Sequence, residues 1–153
     1  MKVLLAVDET KGSKAAVEVF KKVFSSQRLE KLILLTVQKM EGKSVMDDLL
    51  LSDSEINELR EALKGTEYQE ILDRKSRKII EHYENELSEI EAAEKESTIL
   101  EGHPAEEILK LTEDEGVDLI VIGSRGGRKG NFLVGSVSRE VINRSNVPVL
   151  VGK

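Results

Sequence analysis

"VIGSRGGRKGNFLVGSVS", Val121 to Ser138, runs from a saturated apolar strand through four glycines in eight residues to a "GS" that marks a helix start. Two readings are open: a cradle for phosphates, or a flexible turn joining a strand to a helix. Gly123, Gly126, Gly127 and Gly130 let the chain turn sharply and bring backbone N–H groups close to an anion, because no side chain blocks the approach. Gly135 and Ser136 then open a helix whose free N–H groups and positive dipole end favour phosphate. Arg125, Arg128 and Lys129 add local positive charge. Taken alone the signal is weak. The loop lacks the Gly-Lys-Ser/Thr ending of a Walker A motif, and it follows a late strand where a dinucleotide fingerprint would follow the first.

The flanking pattern indicates the fold. Lys2 to Val7 is a near-continuous apolar run, as are Leu32 to Val37, Val117 to Ile122 and Val147 to Val151, the signature of strands covered on both faces. "STILEG", Ser97 to Gly102, is a weaker and shorter candidate. Helical stripes lie between them: Ala16, Val19, Phe20, Val23 and Phe24; then Ala105, Ile108, Leu109 and Thr112 after Pro104; then Val137, Val141 and Ile142 after Gly135. Alternating strands and amphipathic helices imply right-handed βαβ units and a parallel doubly wound sheet. Ligands of such sheets sit beyond the carboxyl ends of the strands, where the strand order reverses, and both Asp8 and the glycine loop occupy such ends.

The 153 residues fit one domain, and the absence of cysteine excludes thiol catalysis, thiolate zinc sites and disulfide scaffolding. A net charge of −6 argues against a nucleic-acid partner, and an aromatic content of 3% removes stacking platforms for bases. "MKVLLAVDET" is too short in apolar residues for a signal-peptide core or a membrane span, so a cytoplasmic protein is expected.

A charged helical insertion is expected at about 41–96. "SDSE" at Ser52–Glu55 has capping-box spacing, Ile56, Leu59 and Leu63 follow on one face, and Gly65 is placed to end that helix. A longer helix is expected from about Tyr68 into the nineties, with Leu72, Ile79, Ile80, Tyr83, Leu87 and Ile90 packing on the sheet, the alternative being a partner-binding or lid element over the site. Val45, Met46 and Leu49 to Leu51 suit a short packing helix or a flap over the site.

Asp8, followed by Thr10, Gly12, Ser13 and a helix, is placed either to cap that helix or its turn, or to accept a hydrogen bond from a ligand. Spacing does not choose between these. His103 in "GHP" reads as a turn residue, His82 stands without metal-ligand spacing, and Glu106, Glu107, Asp114 and Glu115 read as solvated charges. No nucleophile, base and orienter set is evident.

Several of these stretches together resemble the universal stress protein family: "VLLAVDETKGSKAA", "LILLTV", "GHPAEEIL", "VDLIVIGSRG", "GSVS" and "SNVPVLV", in that order. The resemblance spans nearly the whole chain, with the charged middle matched least. It implies a five-stranded parallel doubly wound sheet in strand order 3-2-1-4-5 with helices on both faces, of the adenine nucleotide alpha hydrolase-like type. It also implies a homodimer built through the last strand, Val147 to Val151.

In ATP-binding members the motif is Gly-x-x-Gly, nine residues, then Gly-Ser/Thr. By that resemblance Gly123, Ser124, Arg125, Gly126 and Gly127 meet the ribose and phosphates, and Gly135, Ser136, Val137 and Ser138 bind phosphate through backbone amides and hydroxyls. Asp8, with Ala6 and Val7 around it, meets the adenine or ribose, and the backbone of Val37 reads the adenine edge. The implied ligand is ATP, or AMP, with Mg²⁺ as a companion of ATP, and any turnover is expected to be slow. Two departures favour the alternative of a non-nucleotide-binding, dimeric interaction module. Only eight residues, "GRKGNFLV", separate Gly126 from Gly135, and Glu9 stands where the family often has a small residue.

Overall fold

The computed structural model describes residues 1–39, 54–55, 58, 61–62, 64–124 and 135–153. Five strands, β1 (Lys2–Ala6), β2 (Leu29–Gln38), β3 (Ala92–Glu101), β4 (Leu119–Gly123) and β5 (Val149–Gly152), form one sheet in the order β3-β2-β1-β4-β5. Every neighbouring pair is parallel. The sheet is flanked by helices α1 (Lys11–Phe24), α2 (Glu67–Glu86), α3 (Pro104–Glu115) and α4 (Ser136–Arg144).

The central strand explains the apolar runs. Val3, Leu4 and Leu5 are fully buried because side chains on both faces of β1 are covered. On one face Val3, Leu5, Leu32 and Leu34 pack with Phe20 and Phe24 of α1 and with Ile80 and Tyr83 of α2. On the other, Leu4, Ile33 and Ile120 pack with Ala105 and Ile108 of α3 and Val141 of α4. Full burial of each such Leu, Ile or Phe stabilises the fold by about 1.5–3 kcal/mol before entropy is counted.

The structure departs from four of the sequence expectations. The buried stripe of α1 is Ser13, Ala16, Val17, Phe20 and Phe24, while Val23 is exposed, since the helix rotates to bring Gly12 and Ser13 against the sheet. The long helix ends at Glu86 and does not reach the nineties. Leu87 and Ile90 are buried in the turn that follows, and the next strand starts at Ala92, well before Ser97. β3 is an edge strand, so much of it faces water and carries Glu94, Lys95 and Glu96, a composition that reads as helix. Glu115 is also not simply solvated. It accepts from Lys31 Nζ at 2.9 Å, and Glu94 and Glu96 close on the same ammonium at 3.2 and 2.6 Å.

Helix ends follow local chemistry. The Thr66 hydroxyl accepts from the Gln69 N–H ahead of the acidic first turn of α2, and Gly116 ends α3 at φ 61°, the left-handed conformation open to glycine. Gly65 likewise sits at φ 76°. Val45, Met46, Leu49 to Leu51, and Ser52 and Asp53 of the capping box lie outside the described residues.

Candidate functional site

The strand order reverses between β1 and β4, whose partners in sequence run to opposite sides of the sheet. Ala6 aligns with Leu35 on one side and Ile122 on the other, so β1 stops there and β4 one residue later at Gly123, while β2 continues three residues past Leu35. The result is a cavity of about 270 Å³ beyond the carboxyl ends of the strands.

One wall is backbone. Val7 N–H donates to the Leu35 carbonyl on the β1 side, and Gly102 N–H donates to the Gln38 carbonyl on the β3 side. Successive residues of a strand point their N–H and C=O to opposite sides. Val37 therefore aims both groups toward the β1 side, where the β1–β2 register has already ended at Ala6 and Leu35. A donor and an acceptor, one residue's worth, face the cavity.

At the other end α4 begins with Gly135 as its N-cap. The first intrahelical bond runs from Arg139 N–H to the Gly135 carbonyl, so the N–H groups of Ser136, Val137 and Ser138 precede the ladder and point out of the helix start. The Ser138 hydroxyl is buried and donates to the Gly135 carbonyl at 3.1 Å, while Ser136 is exposed.

Asp8 organises the floor. Its Oδ1 accepts from Thr10 N–H at 2.8 Å, Thr10 Oγ1 at 2.5 Å and Ser13 Oγ at 2.7 Å, and its own N–H donates to Ser13 Oγ at 2.8 Å. The side chain thus closes the turn into α1. Its Oδ2 accepts no hydrogen bond among the described residues and is available to a ligand donor. Burial is the largest influence on this carboxyl and opposes ionisation, but the hydrogen bonds from Thr10 and Ser13 together outweigh it and hold it below the usual aspartate range.

The remaining wall is α2, whose Leu72, Lys75, Ser76 and Ile79 line the cavity. Two contacts fasten it to the β1–α1 turn. Lys75 Nζ meets Glu9 Oε1 at 2.7 Å, and Tyr83 Oη donates to the Asp8 carbonyl at 3.4 Å. The Lys75 hydrogen bond holds the Glu9 carboxyl below its usual range, and burial pushes the Tyr83 phenol up, keeping it a neutral donor. Behind this wall Asp73 Oδ1 accepts from Gln38 Nε2 and Gln69 Nε2, both at 3.1 Å, which ties α2 to the end of β2.

Of the residues singled out from sequence, Ala6, Val7, Asp8, Val37, Gly123, Gly135, Ser136, Val137 and Ser138 all line this one cavity. Ser124 does not. Its N–H and hydroxyl both donate to the Gly152 carbonyl, at 2.8 and 3.0 Å, and so close β4 on β5. Arg125, Gly126 and Gly127 lie outside the described residues. Lys75, Ser76 and Gln38 were missed. They come from a helix far along the chain from Asp8 and from the outer end of β2, and carry no local spacing of the kind that marks Asp8, Thr10 and Ser13.

The cavity combines a donor–acceptor backbone edge, apolar walls at Leu72, Ile79, Ile108 and Ile122, and an anion-favouring helix start. That combination suits a flat, hydrogen-bonding heterocycle carrying an anionic tail.

Comparison with known proteins is consistent with this architecture. Residues 1–153 match the model of the universal stress protein family. Universal stress protein MJ0577 of Methanocaldococcus jannaschii is 34% identical over 155 residues, covering 99% of this chain and 94% of its own. A solved structure of MJ0577 superposes with a TM-score of 0.67 over 99% of this chain and 94% of that chain. Universal stress protein YxiE of Bacillus subtilis is 30% identical, covering 98% of this chain and 97% of its own. An Arabidopsis thaliana protein of the family, solved with AMP bound, shares the fold at 22% identity and a TM-score of 0.66, covering 100% of this chain and 91% of that chain.

Proposed function

The chain belongs to the universal stress protein family, and on that footing we propose that it is an adenine-nucleotide-binding module of stress response or signalling, with ATP as the ligand and AMP as the competing one. The observation that carries the reading is the union, in one cavity, of the β1-facing backbone edge of Val37, unpaired among the described residues, with the helix start at Gly135 to Ser138. The first suits the hydrogen-bonding edge of adenine, and the second suits phosphate. Asp8 Oδ2, which accepts no hydrogen bond among the described residues and belongs to a carboxylate held charged, would accept from a ribose hydroxyl or the adenine amine. The Arabidopsis protein of the same fold holds AMP, which supports an adenine ligand here.

Mg²⁺ would arrive with the triphosphate. Asp8 and Glu9 supply carboxylate oxygens of the kind it accepts, and phosphate and water would be its main ligands. The role is binding, with at most slow turnover: Asp8 Oδ1 is held in the turn into α1 and Glu9 in an ion pair with Lys75, an arrangement that binds and orients. Homodimerisation through β5 belongs to the same reading. β5 is an edge strand, and pairing with its copy about a two-fold axis would satisfy its outer backbone groups. Titration of the nucleotide-free chain with ATP and AMP tests the proposal, and saturable binding of either with unit stoichiometry supports it.

A further inference from the structure

Glu9 presents an electrostatic conflict. A carboxylate lines the same cavity as an anion-favouring helix start, one residue after Asp8, which is itself held ionised. The structure resolves it by placing Lys75 of α2 against Glu9, with Nζ and Oε1 2.7 Å apart. Both side chains line the cavity and both are about half exposed, at 53% and 57%, which puts the pair at the rim and not in the core. A rim pair of this kind contributes little to folding. Its geometry has another consequence. Lys75 carries a cation at the cavity that Glu9 neutralises, and a ligand with enough negative charge can compete with Glu9 for it.

We propose that the Glu9–Lys75 pair sets the site's preference among nucleotides by their charge, Glu9 holding Lys75 in the ligand-free protein and a ligand phosphate taking it over on binding. The inference rests on the nucleotide-binding reading and adds a specificity device on α2, the helix that the sequence offers as packing on the sheet or as a partner-binding or lid element. The pair makes opposite demands of its two members. Glu9 repels phosphate and competes for Lys75, so it discriminates against highly charged ligands. Lys75 attracts phosphate, so it discriminates for them. A neutral nucleoside is indifferent to both.

The test is calorimetric titration of the full chain, without Mg²⁺, with adenosine, AMP and ATP, for wild type, Glu9→Gln and Lys75→Gln. The expected result is a change of opposite sign in the two variants that grows with ligand charge. Glu9→Gln tightens ATP at least about threefold and Lys75→Gln weakens it at least about threefold, the scale of one partly exposed charge contact. AMP shifts less, and adenosine does not shift. If both variants weaken all three ligands alike, the pair only props α2 against the β1–α1 turn and the inference fails while nucleotide binding stands. If the folded wild type binds none of the three, nucleotide binding itself fails and the inference goes with it.

Discussion

A Cβ placed on Gly123 would lie 2.2 Å from the carbonyl carbon of Gly12, so the end of β4 and the first turn of α1 are in backbone contact. The sequence presents Gly123 as the first glycine of a phosphate loop. Its lack of a side chain is required by packing whether or not a ligand is bound. Gly152 repeats the arrangement further along the same helix, where a Cβ would meet Ala16 Cα at 2.3 Å.

Gly123→Ala is therefore expected to destabilise the protein by about 1–3 kcal/mol, the usual cost of overpacking, or more if α1 cannot yield. A denaturant midpoint measurement checks this. An unchanged midpoint would mean that α1 moves away freely and that the glycine serves the ligand alone.

Removing the Asp8 side chain takes away the acceptor of three hydrogen bonds that close the turn into α1. Asp8→Ala should cost about 1–2 kcal/mol, as for loss of a helix-capping side chain. Its pH dependence has a defined sign. The folded-state pKa lies below the ordinary aspartate value of about 3.9. The stabilisation is thus fully present above that value and is lost as pH falls through the lower, folded one. Wild type should lose stability in acid more steeply than Asp8→Asn, and parallel acid titrations of the two would exclude the carboxylate as the cause.

Lys31, 8% exposed on β2, gathers Glu94, Glu96 and Glu115. Its hydrogen bonds to Glu96 and then to Glu115 raise its pKa well above the usual lysine range. Its contribution is present below the unfolded lysine value and lost only as pH rises through the folded one. Lys31→Met leaves three carboxylates facing each other and should lower the melting temperature at neutral pH. The deficit should shrink under acid conditions that protonate those carboxylates. A deficit independent of pH would point to lost packing by the lysine stem.

Pairing through β5 predicts a dimer. Sedimentation across a concentration series should show a two-fold mass at micromolar protein, and a monomer at high micromolar concentration would exclude the interface. Among the described residues no helix is long and apolar enough to cross a membrane.

How much of this was legible in the chain depended on burial. β1, β2, β4 and β5 announce themselves because residues such as Leu4, Ile33 and Ile120 are apolar on both faces of a covered sheet. β3 was read five residues too late, because at an edge its Glu94 and Glu96 serve Lys31 and do not mark a surface helix. The site followed the same rule. Asp8, Val37 and Gly135 all line the cavity; Asp8 and Gly135 were singled out because strand ends and helix starts have local signatures, and Val37 only through the family resemblance. Lys75 was not, because only tertiary packing brings α2 over the β1–α1 turn, and one lysine on a charged helix carries no mark of the carboxylate it will meet.

The most direct test of the central claim is calorimetric titration of nucleotide-free protein with ATP and AMP, in wild type and in Gly135→Val. Gly135 has φ −58°, open to any residue, so valine adds bulk at the helix start without backbone strain. Saturable adenine-nucleotide binding to wild type, lost in the variant while it remains folded, is the expected result. Failure of the folded wild type to bind either nucleotide would contradict it.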